Sequence, residues 1–304
     1  MELDRLIPEW RALWERCPYA TPFQSPEWLA PWWEAFRPGR LKCLERREAG
    51  RLVGFAPLYE DGHGITRLLG AGNTDYLDAL VEPGSDARWI YEQAGRAYFH
   101  DLRPESPLVS GAPGWAEVTE GEVCPVLELP STIEEWRDTL PHGLKRNLRR
   151  YGERLAEAQF SASRDPALLE DLFRLHGGRW SAMRGQPGVL QGNAVALFHR
   201  AVARGFASRG WLRFWTLCSG PALAAIIYAF VCRGRAYFYL SGFDPALARV
   251  GPGTILIART IESLITEGAR ELDFLRGAEA YKFAWGARGR RSANVTFAPG
   301  EGDG

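Results

Sequence analysis

At 304 residues the chain is about twice a typical single domain, which predicts two domains or one domain doubled. Its 46% hydrophobic and 24% charged residues are ordinary for a globular protein. Lys plus Arg and Asp plus Glu both number 37, and the resulting zero net charge argues against a dedicated nucleic-acid binder while allowing a local basic patch.

The longest apolar run, Ala222 to Cys232, is shorter than the roughly 18 residues a bilayer span needs. The start Met-Glu-Leu-Asp has neither the basic nor the apolar region of a secretory leader. Five cysteines (Cys17, Cys43, Cys124, Cys218, Cys232) are scattered without paired spacing, so neither a disulfide framework nor a zinc site is expected. These features predict a cytoplasmic chain without a bound metal.

In chain order, Leu3, Leu6, Ile7, Trp10, Leu13 and Trp14 recur at helical spacing. Ser25-Pro26-Glu27 announces a second helix, with Ser as cap, Pro at the first position and Glu against the positive helix end; Trp28, Trp32, Trp33 and Phe36 follow on it. These aromatics, among twelve tryptophans in the chain, read as core. Leu41–Glu45 and Leu52–Ala56 flank a turn at Glu48-Ala49-Gly50 and predict a hairpin. The turn Asp61-Gly62-His63-Gly64 leads into a strand at Ile65–Leu69. A helix runs through Trp89, Ile90, Ala94 and Ala97, and two strands are expected near Trp115–Thr119 and Val123–Leu129.

Pro130-Ser131-Thr132 opens a second section with helices at about 132–158, 166–183 and 192–209. Strands follow at Leu212–Cys218, Ala222–Cys232 and Ala236–Gly242. A helix at Thr254–Glu267 and strands at Leu272–Leu275 and Asn294–Phe297 complete it. The stretches at 50–58 and 220–228, each a turn followed by an apolar strand, fit a duplicated unit.

The segment 237–285 holds the most chemistry. A strand over Tyr237–Gly242 runs into Gly251-Pro252-Gly253-Thr254, which opens a helix. Two readings fit this loop. Its glycines and the first helix amides can cradle a phosphate, or it is a plain loop with Thr254 as cap. Asp273 and Arg276 sit at a strand's end, where α/β folds place ligand crevices, and Glu279, Tyr281 and Lys282 follow in an aromatic setting. An ordinary surface pairing of these charges is the alternative.

Strand, Gly-rich loop, helix and strand in this order resemble the acyl-CoA-binding half of the GNAT acyltransferase fold. Phe23-Gln24-Ser25-Pro26-Glu27-Trp28, Asp75-Tyr76-Leu77-Asp78 and Gly277-Ala278-Glu279-Ala280-Tyr281-Lys282 further resemble the CelD/BcsL-like family, which is associated with exopolysaccharide and cellulose biosynthesis. That family is related to the Fem peptidyltransferases, which carry tandem GNAT domains. The resemblance spans roughly residues 20 to 298. The GNAT loop usually reads Gln/Arg-x-x-Gly-x-Gly/Ala; here Ala248 holds its first place and Arg249 stands one position later.

The resemblance implies a mixed α/β fold of two tandem GNAT-like units, 1–130 and 131–304, each a twisted mixed sheet flanked by helices. It implies acyl transfer from acetyl-CoA or a longer acyl-CoA to an amine, the leading acceptor being a small or lipid-linked amino-sugar of an exopolysaccharide precursor. The donor would lie on Tyr239, Leu240, Ser241, Arg249, Gly251, Gly253 and Thr254, with the acceptor in a cleft between the units near Tyr76, His176, Arg179, Trp180, Asp273 and Arg276. Glu279, Asp75 or His176 would take the amine proton, Tyr281 would protonate the leaving thiolate, and Lys282, which has a counterpart in Fem relatives, would stabilise the oxyanion or hold a phosphate. The alternatives are a Fem-like ligase using aminoacyl-tRNA and a non-catalytic GNAT-like module that binds a glycan precursor or a synthase partner.

Two features stand beside that resemblance. His176-Gly177-Gly178-Arg179-Trp180 reads as a helix end, with His176 on the dipole. Lys145-Arg146-Asn147-Leu148-Arg149-Arg150, with Arg154, is the dense basic cluster; it is either a solvated face balanced by Glu153 and Glu157, or a site for an anionic ligand or a membrane surface, which would make the protein peripheral to the inner membrane.

Overall fold

The computed structural model describes residues 3–184 and 192–298, with side chains at all of these except 177–184. The chain divides into two units: unit 1 runs to Val123 and resumes at Arg291, and unit 2 takes Cys124–Arg290. Each is built of mixed sheet and flanking helices.

Unit 1 opens with α1 (Ile7–Arg16) and α2 (Pro26–Phe36), which bury Trp10, Leu13 and Trp14 and Trp28, Leu29 and Trp32. Pro26 takes the first helical position as expected, but Ser25 is no side-chain cap; its hydroxyl donates to the Pro22 carbonyl at 2.6 Å. A capping box lies one turn earlier, between Thr21 and Gln24. Strands β1 (Gly39–Leu41), β2 (Leu44–Glu48), β3 (Arg51–Ala56), β4 (Leu58–Asp61), β5 (Thr66–Leu68) and β6 (Leu80–Val81) follow. After them come α3 (Arg88–Ala94), β7 (Ala97–Leu102), α4 (Pro107–Ser110) and β8 (Glu117–Glu128).

The expected hairpin is β2–β3, with Glu48 opposite Arg51 and both turn residues, Ala49 and Gly50, at positive φ. Two expectations are corrected here. The α3 helix stops at Gly95, where φ is +73°, so Ala97 belongs to β7 rather than to the helix. The two strands expected near 115–119 and 123–129 are the single strand β8. β2, β3 and β6 form one sheet, while β1, β4, β5 and β7 lie side by side with β5 and β7 parallel.

Unit 2 continues with α5 (Ile133–Thr139), α6 (His142–Arg154), β9 (Gln159–Ser163), α7 (Leu168–Arg184), α8 (Asn193–Ser208) and β10 (Leu212–Ser219). Then come β11 (Ala222–Cys232), β12 (Arg235–Phe243), α9 (Pro252–Thr266), β13 (Glu271–Asp273), α10 (Ala280–Ala284) and β14 (Arg288–Phe297). The single helix expected over 132–158 is two, because Leu140 is extended and Pro141 cannot continue the hydrogen-bond ladder.

The strand order is β8-β13-β12-β11-β10-β9, antiparallel except for the parallel pair β12–β13. Along β11, Ala225, Ile227 and Ala229 join the core that holds Leu256, Ile261 and Leu264 of α9. The alternate residues Tyr228 and Phe230 meet His199 and Phe206 of α8, so the strand is buried on both faces. From Arg291 onward β14 belongs to unit 1, where Val295 pairs with Phe99 and Phe297 with Ala97 of β7. Among the described residues no helix is long and apolar enough to cross a membrane.

Candidate functional site

In unit 2 the parallel strands β12 and β13 pair only from Arg235 opposite Glu271 to Tyr237 opposite Asp273. There β13 ends, while β12 runs on to Phe243. On its other edge β12 stays paired with β11 through a bulge: Tyr228 faces Leu240, Ala229 faces Phe238, and Tyr239 is the extra residue. A bulge re-aims the residues beyond it. A cavity of about 270 Å³ opens beside this stretch, walled by Ser241 to Phe243 of β12, Gly251 to Thr254 at the start of α9, and Tyr281 and Trp285.

The two loop glycines serve different needs. Gly251 has φ +68°, and a Cβ there would overlap the ring of Tyr151 on α6, so conformation and space both demand glycine. At Gly253 a Cβ would sit 3.7 Å from Phe243, an ordinary contact. The helix begins at Pro252 with Gly251 at the cap position and no side-chain cap, so Thr254 lies within the first turn and is not its cap. First-turn amides such as those of Gly253 and Thr254 have no intrahelical carbonyl to bond, and they sit at the positive helix end, where an anion is favoured.

Of the expected donor-site residues, Ser241, Gly251, Gly253 and Thr254 line the cavity. Tyr239, Leu240 and Arg249 are not among its walls. The Tyr239 ring instead packs with His199 and Phe230, at 5.4 Å from each. Arg249 is exposed on a short 3-10 turn, and its carbonyl accepts a hydrogen bond from Arg154 at 3.0 Å.

Among the expected catalytic residues only Tyr281 borders the cavity; it is 43% exposed. Lys282 is buried, and its Nζ donates to the carbonyls of Arg276 (2.7 Å), Gly277 (3.1 Å) and Leu275 (3.4 Å). It also pairs with Glu279 at 2.9 Å. Leu275 and Gly277 both have positive φ, so the lysine staples a strained turn to α10 and thereby fixes Tyr281. Burial raises the Glu279 carboxyl, but hydrogen bonding and charge from Lys282 outweigh it and hold the group below its ordinary value. A carboxylate so held is a weak proton acceptor. Asp273, 1% exposed, accepts from the Leu275 amide at 2.8 Å, a second brace on the turn whose carbonyl Arg276 supplies to Lys282.

His176 lies mid-helix in α7, which continues to Arg184, so the expected helix end at this residue is corrected. Its Nδ1 is 3.0 Å from the Ser241 carbonyl, which can only accept, so Nδ1 carries the proton. Arg179 and Trp180 lie on α7, with side chains outside the described residues.

Asp75 and Tyr76 belong to unit 1, where the two N-terminal motifs prove to be packing partners. The Gln24 amide donates to the Tyr76 carbonyl at 2.6 Å, and the indoles of Trp28 and Trp32 donate to Thr74 (2.8 Å) and Asn73 (3.1 Å). Tyr76 is 1% exposed, with Phe23 at its ring and Arg103 over its face. In the same loop, Asp78 is buried among Ser106 and the Ala79 amide, and burial pushes its carboxyl up to about 7.

Phe243 and Trp285 line the cavity and were missed by sequence reading, as was Tyr151, whose ring backs Gly251. The basic helix α6 supplies Tyr151, and its Arg150 guanidinium lies 4.8 Å above that ring.

Residues 142–283 match the family of acetyltransferase (GNAT) domains. No curated protein sequence matches the chain. Among solved structures, FemX is similar with a TM-score of 0.65 and 10% identity over 95% of each chain. The C-terminal domain of a lysylphosphatidylglycerol synthetase from Agrobacterium fabrum has a TM-score of 0.63 at 12% identity, covering 96% of this chain and 92% of that one. A tandem GNAT protein from the clavulanic acid biosynthesis pathway has a TM-score of 0.53 at 14% identity, covering 99% and 97%. At these identities the likeness speaks for the fold. Residues 142–283 therefore resemble a GNAT acetyltransferase domain, and the mixed α/β fold is similar to those of FemX and a tandem GNAT protein.

Proposed function

We propose that the protein is an acyl-CoA-dependent N-acyltransferase acting on an amine, with a small or lipid-linked amino-sugar of an exopolysaccharide precursor as the leading acceptor. The observation that carries the reading is the cavity where β12 outruns β13, walled also by the start of α9 and by Tyr281. The donor pyrophosphate would lie against the Gly253 and Thr254 amides, and its pantetheine arm along Ser241 to Phe243, where β13 has no residue left to pair.

The amine nitrogen attacks the thioester carbonyl carbon, giving a tetrahedral oxyanion that backbone amides of β12 stabilise. The C–S bond then breaks and the thiolate takes the Tyr281 phenol proton. The nitrogen sheds its extra proton to a base. Of the candidates for that role, Glu279 is tied to Lys282, whereas His176 holds Ser241 of the cavity wall through its Nδ1 proton and has Nε2 as its acceptor nitrogen.

Calorimetric titration with acetyl-CoA and a longer acyl-CoA tests the reading. Wild type should bind, and Gly253→Leu, which fills the cavity without backbone strain, should weaken binding about tenfold or more. A protein that binds no acyl-CoA at all sinks it. A Fem-like aminoacyl-tRNA ligase is the second reading. It is supported by the FemX likeness and by the basic α6, whose Tyr151 and Arg154 reach the loop before α9. Ribonuclease sensitivity of the transfer would select it. A non-catalytic binding module is supported by Ala248 in the loop and opposed by the placement of Tyr281.

A further inference from the structure

We propose that unit 2 carries a second ligand site, a groove beside α6 for the phosphate headgroup and first chain carbons of an anionic lipid. The groove has a volume of about 630 Å³ and shares no lining residue with the cavity at Tyr281. It lies along another face of α9, whose Ile255, Ala258, Arg259 and Glu262 turn toward it while Leu256 and Ile257 line the donor cavity.

Its chemistry is divided. Leu148, Leu155, Phe160, Leu217 and Ile255 give an apolar lining, and Arg137, Lys145, Arg149 and Arg259 bring four cations to it. Two acids also line it, Asp138 and Glu262. Glu262 takes both Arg137 (2.7 Å) and Arg259 (3.2 Å), while the Lys145 ammonium bonds the Asp138 backbone carbonyl at 3.2 Å. Arg149 pairs at 3.1 Å with Glu153, which lies off the lining, so four cations against Asp138, Glu262 and Glu153 still leave a net positive charge. Helix α6 adds Arg146, Arg150 and Arg154 and buries none of its own residues.

Gly152 stands within α6 on the wall of the groove, and a Cβ there would meet nothing within 4 Å. A basic face alone would suit any polyanion. Cations set beside an apolar trough select an amphiphile, because a chain removes that trough from water while a phosphate meets the charges. A nucleic acid would ask instead for several aromatic rings to stack on, and the lining offers one, Phe160.

The test uses the whole chain and two probes. Flotation with phosphatidylcholine vesicles, with and without phosphatidylglycerol, reads a bilayer source. Calorimetry with dodecyl phosphate below its micelle concentration reads a monomeric one. Binding to either anionic probe, absent with pure phosphatidylcholine, is expected; the double variant Lys145→Glu/Arg149→Glu should weaken it about tenfold or more. Gly152→Trp, which fills the trough at unchanged charge, should weaken dodecyl phosphate binding comparably. Ala156→Trp, at an exposed position on the same lining, replaces it should that variant not fold.

Three results overturn the proposal: no binding to either anionic probe, wild-type binding by the filled variant, or binding of bulk tRNA but of neither lipid. Acyl-CoA titration of the same variants should be unchanged, so failure here and failure of the acyltransferase reading are separate results.

Discussion

Tyr281 and Lys282 are neighbours with different work. The tyrosine borders the cavity, so Tyr281→Phe should lower kcat by about 100-fold or more with little change in KM and no change in melting, the mark of a lost proton donor. The lysine ties down the carbonyls of a positive-φ turn. Lys282→Met should therefore cost roughly 3 kcal/mol in a denaturant melt by orphaning them, with activity falling because Tyr281 is no longer held. If Lys282→Met is inactive yet as stable as wild type, the lysine acts on substrate instead.

Two buried groups give opposite pH responses. Asp78, raised to about 7 in the fold by burial, holds a proton there that the unfolded chain has released, so its contribution to stability declines as pH rises from about 4 to 7. His199, lowered by burial to about 3, stays neutral where the unfolded chain would charge it, so stability declines as pH falls from about 6.5 toward 3. Melts across this range should show Asp78→Asn flattening the first slope and His199→Phe the second. Gly251 was legible because a left-handed backbone conformation is written in residue type. Tyr151 was not, since nothing local marks a ring that will meet Gly251 a hundred residues later.

At the scale of elements, legibility followed burial. β10, β11, β12 and α9 lie within about two residues of their expected ends, because their apolar residues are dense and bounded by glycine turns. β9, Gln159 to Ser163, was invisible: it is an edge strand with no buried residue, and only its pairing with β10 makes it a strand. The break between α5 and α6 was signalled by Pro141 and overridden by the charged helical pattern on both sides. Within α6, Gly152 has open space and no positive φ, so Gly152→Ala should stabilise unit 2 by about 1 kcal/mol, read as a shifted denaturation midpoint. No gain would mean that the helix is frayed at this point.

For the whole molecule, the mixed α/β fold was readable from motif order, but the loan of β14 to unit 1 was not. That pairing joins residues 193 apart in sequence, as when Asn294 accepts from the Asp101 amide. Val295 and Phe297 are buried in the core of unit 1. A chain ending at Arg290 should lose slow hydrogen exchange throughout unit 1 while the amides of β10, β11 and β12 stay protected. Protection retained in both units would show that the last strand is dispensable.

The same loan sets a timetable for synthesis. Unit 1 emerges first but lacks a strand that is translated only after all of unit 2, roughly 170 residues later, or on the order of 10 to 30 s at ordinary elongation rates. Throughout that interval the edge of β7 that will receive β14 is an open row of backbone donors and acceptors. The nascent chain should therefore complete its halves in reverse order, the later one first. Its most vulnerable moment comes while Phe99 and Ala97 await their partners, and a chaperone that shields strand edges would earn its place at the ribosome.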